Sequence, residues 1–192
     1  MSTYKKLSLI ALITFTTHLS GCVSLLDATS DSQIEEHQGT RTLGAVVEDE
    51  NIETKINVNL RKGSEPLKHS NIDTVSFNGS VLLIGEVPDE ASKQLAEKIA
   101  SNTRAVRKVY NELKIAGVST WISRSNDAWL TTKVSTQMLI AENFPSSRIK
   151  VITEQGTVYL MGLVTETEAD YAVNITKNVY GVEKIVKLFE YI

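Results

Sequence analysis

Hydrophobic positions along this chain switch between two periods, and they switch in the same order twice. From Asp49 apolar residues recur at Ile52, Ile56 and Leu60, a spacing that gives a helix one buried face. Gly63-Ser64-Glu65-Pro66 ends that run. Two apolar segments, 72–77 and 81–87, follow as strands joined by Asn78-Gly79. Asparagine and glycine tolerate the left-handed backbone that a two-residue hairpin needs at both turn positions. Pro88-Asp89-Glu90 opens a second helix, because proline fits a first turn and acidic side chains favour a helix N-terminus. Leu95, Ala96, Ile99 and Ala100 are its inward face, and 106–115 reads as a third strand.

The series then starts again. A helix over 127–141 turns Leu130, Val134, Met138 and Ala141 inward, and it is followed by strands 148–153 and 157–164, a helix 166–179 and a strand 182–191. Lys55 and Lys133 are 78 residues apart, and the glycines 79/156 and 85/162 are each 77 apart. A repeat of this kind means two small domains of one type. The strand–helix–strand crossover permits parallel pairing. The expectation is therefore an α+β protein with two tandem αββαβ domains, 49–117 and 127–192, each a three-stranded mixed sheet packed on two helices. Residues 118–126 link them, with Trp121 beside Ile122 as an aromatic plug between domains. Domains of about 65 residues lie near the lower limit for a self-sufficient core, although each copy has a complete apolar set. Val81, Leu83 and Val87 can face the helices, yet Leu82 and Ile84 on the other face are apolar too, as are Tyr159 and Met161 in the second copy. Helices on one face alone would leave these residues in water. At least one sheet is expected to pack against the other domain.

The N-terminus sets the location. Lys5 and Lys6 precede a short apolar stretch, 7–15, too short for a spanning helix, and residues 1–21 read as a signal peptide. Leu19-Ser20-Gly21-Cys22 resembles a bacterial lipobox, which implies cleavage before a lipid-modified, palmitate-bearing Cys22. Val23, where an aspartate would retain the protein at the inner membrane, implies a lipid anchor in the outer membrane, on its periplasmic face. Several acyl chains on one cysteine hold far more firmly than a single myristoyl group. Cys22 is the only cysteine, so no thiol remains for a disulfide, a zinc site or a nucleophile. The polar residues that follow it, up to 48, read as a flexible tether. Without Lys5 and Lys6 the mature chain has 18 basic against 23 acidic residues, a formal −5. That balance argues against nucleic acid as a partner.

Residues for chemistry are sparse. His18 leaves with the signal peptide, His37 lies in the tether and His69 in a loop. No histidine pair at metal spacing, glycine-rich phosphate loop or nucleophile elbow is present, so neither a catalytic site nor a cofactor is expected. Glu166 and Glu168 suit a helix N-terminus, while Glu35-Glu36 and Asp49-Glu50 read as solvated charge. Binding is expected rather than an enzyme.

One surface stands out. On the helix 127–141, Trp129, Lys133, Thr136 and Ile140 cluster about 100° from the core stripe. An indole at headgroup depth, an aliphatic tip and a lysine suit an anionic phospholipid surface. Arg124 upstream, with Arg148 and Lys150 on the next strand, extends a positive rim. In the first copy Asn51 and Lys62 stand where the second has Trp129 and Ile140. The face therefore belongs to the second domain alone. The competing reading is that Trp129 packs against the linker or the first domain.

The hairpin, apolar strand, glycine, alanine-rich helix and Gly-Val-x-x-Ile closure resemble the BON domain. The residues are Asn78-Gly79-Ser80-Val81 through Gly85-Glu86-Val87, then Gln155-Gly156-Thr157-Val158 through Gly162-Leu163-Val164, with Gly181-Val182-Glu183-Lys184-Ile185. The first copy departs from the pattern, with Ala105-Val106 for the last glycine–valine. Two copies behind a lipobox are similar to the dual-BON outer-membrane lipoproteins. That resemblance implies anionic phospholipid binding by the second domain, a role in outer-membrane integrity and enrichment at division sites. The alternative is an adaptor docking a protein of an envelope assembly or a cell-wall remodelling factor.

Overall fold

The computed structural model describes residues 39–116 and 121–192, with side chains from Ser125 onward in the second stretch. Cys22, the signal peptide and most of the tether lie outside the described residues. The first domain runs α1 (Leu43–Gly63), α2 (Glu65–Lys68), β1 (Asn71–Phe77), β2 (Ser80–Val87), α3 (Glu90–Ser101), β3 (Lys108–Asn111) and β4 (Lys114–Ile115). The second runs α4 (Trp121–Ile140), a 3-10 turn (Ser146–Arg148), β5 (Ile149–Glu154), β6 (Thr157–Val164), α5 (Glu166–Lys177) and β7 (Lys184–Tyr191). In each, an antiparallel hairpin is followed by a strand parallel to its second member, giving the expected mixed sheet on helices.

The local signals work as the physics requires. Asn78 and Gly79 have φ of 51° and 74°, and Gln155 and Gly156 have 48° and 73°. Asp89 caps α3 by accepting from Ser92 N–H at 2.7 Å. Thr165 caps α5 within a capping box shared with Glu168, so the acidic pair does serve a helix N-terminus. Ile52, Ile56 and Leu60 are buried, as are Leu130, Val134 and Met138.

Four expectations need correction. The helix expected from Asp49 begins at Leu43, because Thr42 caps it by accepting from Ala45 N–H. Ser64 likewise starts the short α2 where the sequence shows only a stop, its hydroxyl accepting from Leu67 N–H. The third strand of the first domain is interrupted between Asn111 and Lys114. Gly85, on the neighbouring β2, has a φ of 110° and opens the ladder there, whereas Gly162 is not left-handed and β7 runs unbroken. Finally, α4 begins at Trp121, so the segment expected to link the domains is helical from that residue; the side chains of Trp121 and Ile122 lie outside the described residues.

The sheets explain how such small units close their cores. One cluster lies between the helices and sheet in each domain, built on Val81, Leu83 and Val87 in the first and Val158, Leu160 and Val164 in the second. A third cluster contains Phe77, Leu82 and Ile84 of the first domain with Tyr159, Met161 and Leu188 of the second. The two sheets therefore pack face to face, with helices outside, in four layers. The apolar outer faces noted in the sequence are each other's cover. Around them, Lys150 Nζ meets Glu53 Oε1 at 3.1 Å, Lys114 Nζ meets Gln155 Oε1 at 2.9 Å, and Arg107 pairs with Glu190.

Two substitutions test this packing. Met161→Ala is expected to destabilise the protein by about 2–4 kcal/mol, the range for emptying a fully buried methionine site, read by urea unfolding of the two-domain chain. Ala105, at φ 70°, occupies the place where the second domain has Gly181 at φ 104°. Ala105→Gly is expected to raise stability by about 0.5–1 kcal/mol, because only glycine takes this backbone without a Cβ penalty. Gly181→Ala should lower it by a similar amount in the same titration.

Candidate functional site

The two domains share a device that aims the first helix of each repeat at its hairpin. Asp49, near the start of α1, accepts from the backbone N–H groups of Asn78 at 2.8 Å and Gly79 at 2.9 Å. It also accepts from Ser76 Oγ at 2.7 Å and Arg41 Nη1 at 2.9 Å. Asp127 on α4 does the same for Gln155 N–H at 2.8 Å and Gly156 N–H at 3.0 Å. Asp49 is thus buried rather than solvated. Burial pushes its pKa up, but the N–H of Gly79, Ser76, the N–H of Asn78 and Arg41 outweigh that and hold it below the ordinary carboxylate value. Aspartate at matching places in both copies was the available signal.

This clamp leaves the outward side of α4 free. Trp129 is 59% exposed and Ile140 69% exposed, so Trp129 does not pack into the first domain. Lys133 lies between them, its Nζ 4.6 Å from the Trp129 ring centroid. Ile140 is the last residue of α4, about 16 Å along the axis from Trp129 at 1.5 Å per residue. Leu139 beside it is exposed as well. Thr136 is exposed, and its hydroxyl donates to the Thr132 carbonyl at 2.8 Å, which makes it a helix-surface spacer. Arg124 is on α4, but its side chain lies outside the described residues.

Arg148 and Lys150 do not extend a positive rim. Arg148 donates to Glu168 Oε1 at 3.0 Å, and Lys150 reaches across the sheets to Glu53 and the Ser76 carbonyl. Both charges are used inside the fold, and the α4 face keeps Lys133. Sequence reasoning also missed Tyr180. This residue precedes Gly181 at the end of α5's exit turn and is 87% exposed. Its carbonyl accepts from Lys133 Nζ at 3.4 Å, and its ring centroid is 5.8 Å from that atom. Between Trp129, Tyr180, Glu183 and the Gln155-Gly156 turn lies an open groove of about 460 Å³. The signal was a tyrosine beside the motif glycine where the first copy has Arg104.

A second polar cluster lies at the edge of the sheet interface. Glu86 on β2 is buried, and its carboxylate accepts from Asn71 Nδ2 at 3.2 Å and from Gln155 Nε2. Glu154, only 6% exposed, has an Oε1 with no hydrogen-bond partner among the described residues. Burial first, then the charges of Glu86, Asp127 and Asp73, push its pKa up to about 7, with Lys114 opposing. No group of His, Cys, Asp or Glu among the described residues has the arrangement to hold a metal ion.

Residues 48–117 and 126–192 match the model of the BON domain. Over 192 residues, all of this chain and 98% of the relative, the sequence is 34% identical to "Outer membrane lipoprotein DolP" of Haemophilus influenzae. It is 33% identical over 153 residues to "21 kDa hemolysin" of Actinobacillus pleuropneumoniae, covering 79% of this chain and 78% of that one. It is 26% identical over 146 residues to "Osmotically-inducible protein Y" of Escherichia coli, covering 74% and 72%.

Glu154 gives a pH prediction. A carboxyl whose folded pKa is raised from 4.5 to about 7 contributes fully below its ordinary value, and that contribution is lost as pH rises through 7. Melting temperature should therefore fall between roughly pH 5 and 8, by an amount on the order of 2 kcal/mol in stability. Glu154→Gln should flatten that limb. A slope unchanged in the glutamine variant would mean that another group titrates.

Proposed function

The chain belongs to the BON-domain family as an outer-membrane lipoprotein with two copies of the domain, and from that premise we propose that its second domain seats on anionic phospholipid and supports outer-membrane integrity, at division sites in particular. The observation that carries this reading is the exposed Trp129–Lys133–Ile140 face of α4, on a helix whose opposite side is fully committed to the core. A wet-ended aromatic ring, an amine and an aliphatic tip on one helix face match the layers of a bilayer interface. In this reading acylation of Cys22 supplies the anchor. No described helix is long and apolar enough to cross a membrane.

The first domain lacks the anchors. Asn51 and Lys62 occupy the places of Trp129 and Ile140, and both are exposed. An adaptor docking an envelope protein through bare strand faces loses that surface, since the sheets cover each other. The relatives carry the names lipoprotein, hemolysin and osmotically inducible protein, and none of these names an enzyme.

The experiment is flotation of unlipidated residues 23–192 with phosphatidylglycerol-containing and pure phosphatidylcholine vesicles. Trp129→Glu is expected to weaken binding to the anionic vesicles by at least about tenfold, through loss of the ring and added repulsion, with the melting transition kept. Lys133→Ala should cost about fivefold, mostly at low salt. Undiminished binding by Trp129→Glu removes α4 from the mechanism.

A further inference from the structure

The two repeats make matching backbone hydrogen bonds around the turn that follows the second helix. Val106 N–H donates to the Thr103 carbonyl at 3.2 Å, and Val182 N–H donates to the Val179 carbonyl at 3.2 Å. Arg107 and Glu183 N–H groups donate to the carbonyls of Gly79 and Gly156, at 2.8 and 3.0 Å. Tyr180 therefore stands where the first domain has Arg104, as Trp129 stands where it has Asn51. Both aromatic rings belong to the second copy and both border the groove. The matching groove of the first domain is smaller, about 270 Å³, and is lined by Glu48, Asp49, Ala105 and Arg107 among others, with no aromatic ring.

Tyr180 has no packing role that would explain its place. It is the most exposed of the large hydrophobic side chains in the described residues, and the left-handed Gly181 that follows turns the chain sharply beneath it. Its ring and the Trp129 ring both lie within 6 Å of Lys133 Nζ, and the Lys133 amine donates to the Tyr180 carbonyl at 3.4 Å. Lys133 makes no ion pair with a carboxylate among the described residues. A cation close to two aromatic rings, one on a helix and the other on a turn, is complementary to an anionic headgroup at the depth where tyrosine and tryptophan rings settle in a bilayer.

We propose that the turn carrying Tyr180 is a second membrane-contact element, so that α4 and this turn together bracket one anionic lipid headgroup over Lys133. The proposal rests on the membrane reading of α4 and adds to it a second, sequence-distant contact. It makes the contact a two-element grip, which fixes the rotation of α4 on the bilayer as well as its depth.

The test uses residues 23–192, which retain every described residue, and vesicles of phosphatidylglycerol in phosphatidylcholine. Tyr180→Ser is expected to bind roughly fivefold more weakly, the scale of one interfacial ring contact, with an unchanged melting temperature. A second variant carries Tyr180→Trp with Trp121→Phe and Trp129→Phe, so that residue 180 holds the single indole. Its fluorescence should shift to the blue on vesicle binding and be quenched by brominated acyl chains. If Tyr180→Ser binds as tightly as the unsubstituted chain while Trp129→Glu does not, or if the indole at 180 neither shifts nor is quenched on bound vesicles, the turn is no contact and the α4 reading stands without it. If the unsubstituted chain itself fails to bind anionic vesicles, both readings fall.

Discussion

The face-to-face packing of two small sheets is the constraint on which the rest of this protein depends. A domain of about 65 residues has helices for one side of its sheet and none for the other. Leu82 and Ile84 alone, or Tyr159 and Met161 alone, would leave a bare apolar face in water, and the structure resolves this by making each domain the cover of its twin. The consequence reaches the surface. With both sheets inside, the helices form the outer layers, and α4 can keep one side in the core while its other side is free.

The interface also sets the electrostatics. Basic side chains are paired across it: Lys150 with Glu53, Arg107 with Glu190, and Lys114 with Gln155. Carboxylates of both domains meet at its edge, where Glu154 Oε1 has no hydrogen-bond partner among the described residues and burial with the charges of Glu86, Asp127 and Asp73 pushes the Glu154 pKa up to about 7. On α4 the Lys133 amine stands between the exposed Trp129 and Ile140. The two repeats, alike in backbone, have divided their surfaces by substitution at a few places: Asn51 against Trp129, Lys62 against Ile140, Arg104 against Tyr180.

Much of this was legible in the sequence because it rests on short-range rules. Helical spacing put Leu130, Val134 and Met138 in the core, Asn78-Gly79 marked its hairpin, and the double-sided strands foretold a sheet against the other domain. What could not be read depends on partners distant in the chain. Asp49 looks like a solvated acid until the turn at Asn78 comes within reach, and Arg148 looks like a free cation until Glu168 does. The break before Lys114 reflects the left-handed Gly85 on a different strand. Tyr180 became visible only when the turn before β7 folded back beside Lys133. The exposure of Trp129, which the sequence left open, is decided by the same assembly of layers.

Hydrogen exchange of residues 23–192 with and without phosphatidylglycerol vesicles tests the central claim most directly, because it reports every helix of both domains in one measurement. The account predicts added protection in α4 and the turn at 178–183, none in α1, and unchanged slow exchange in the interface strands β2 and β6. Protection that appeared equally in α1, or that spared α4, would contradict it.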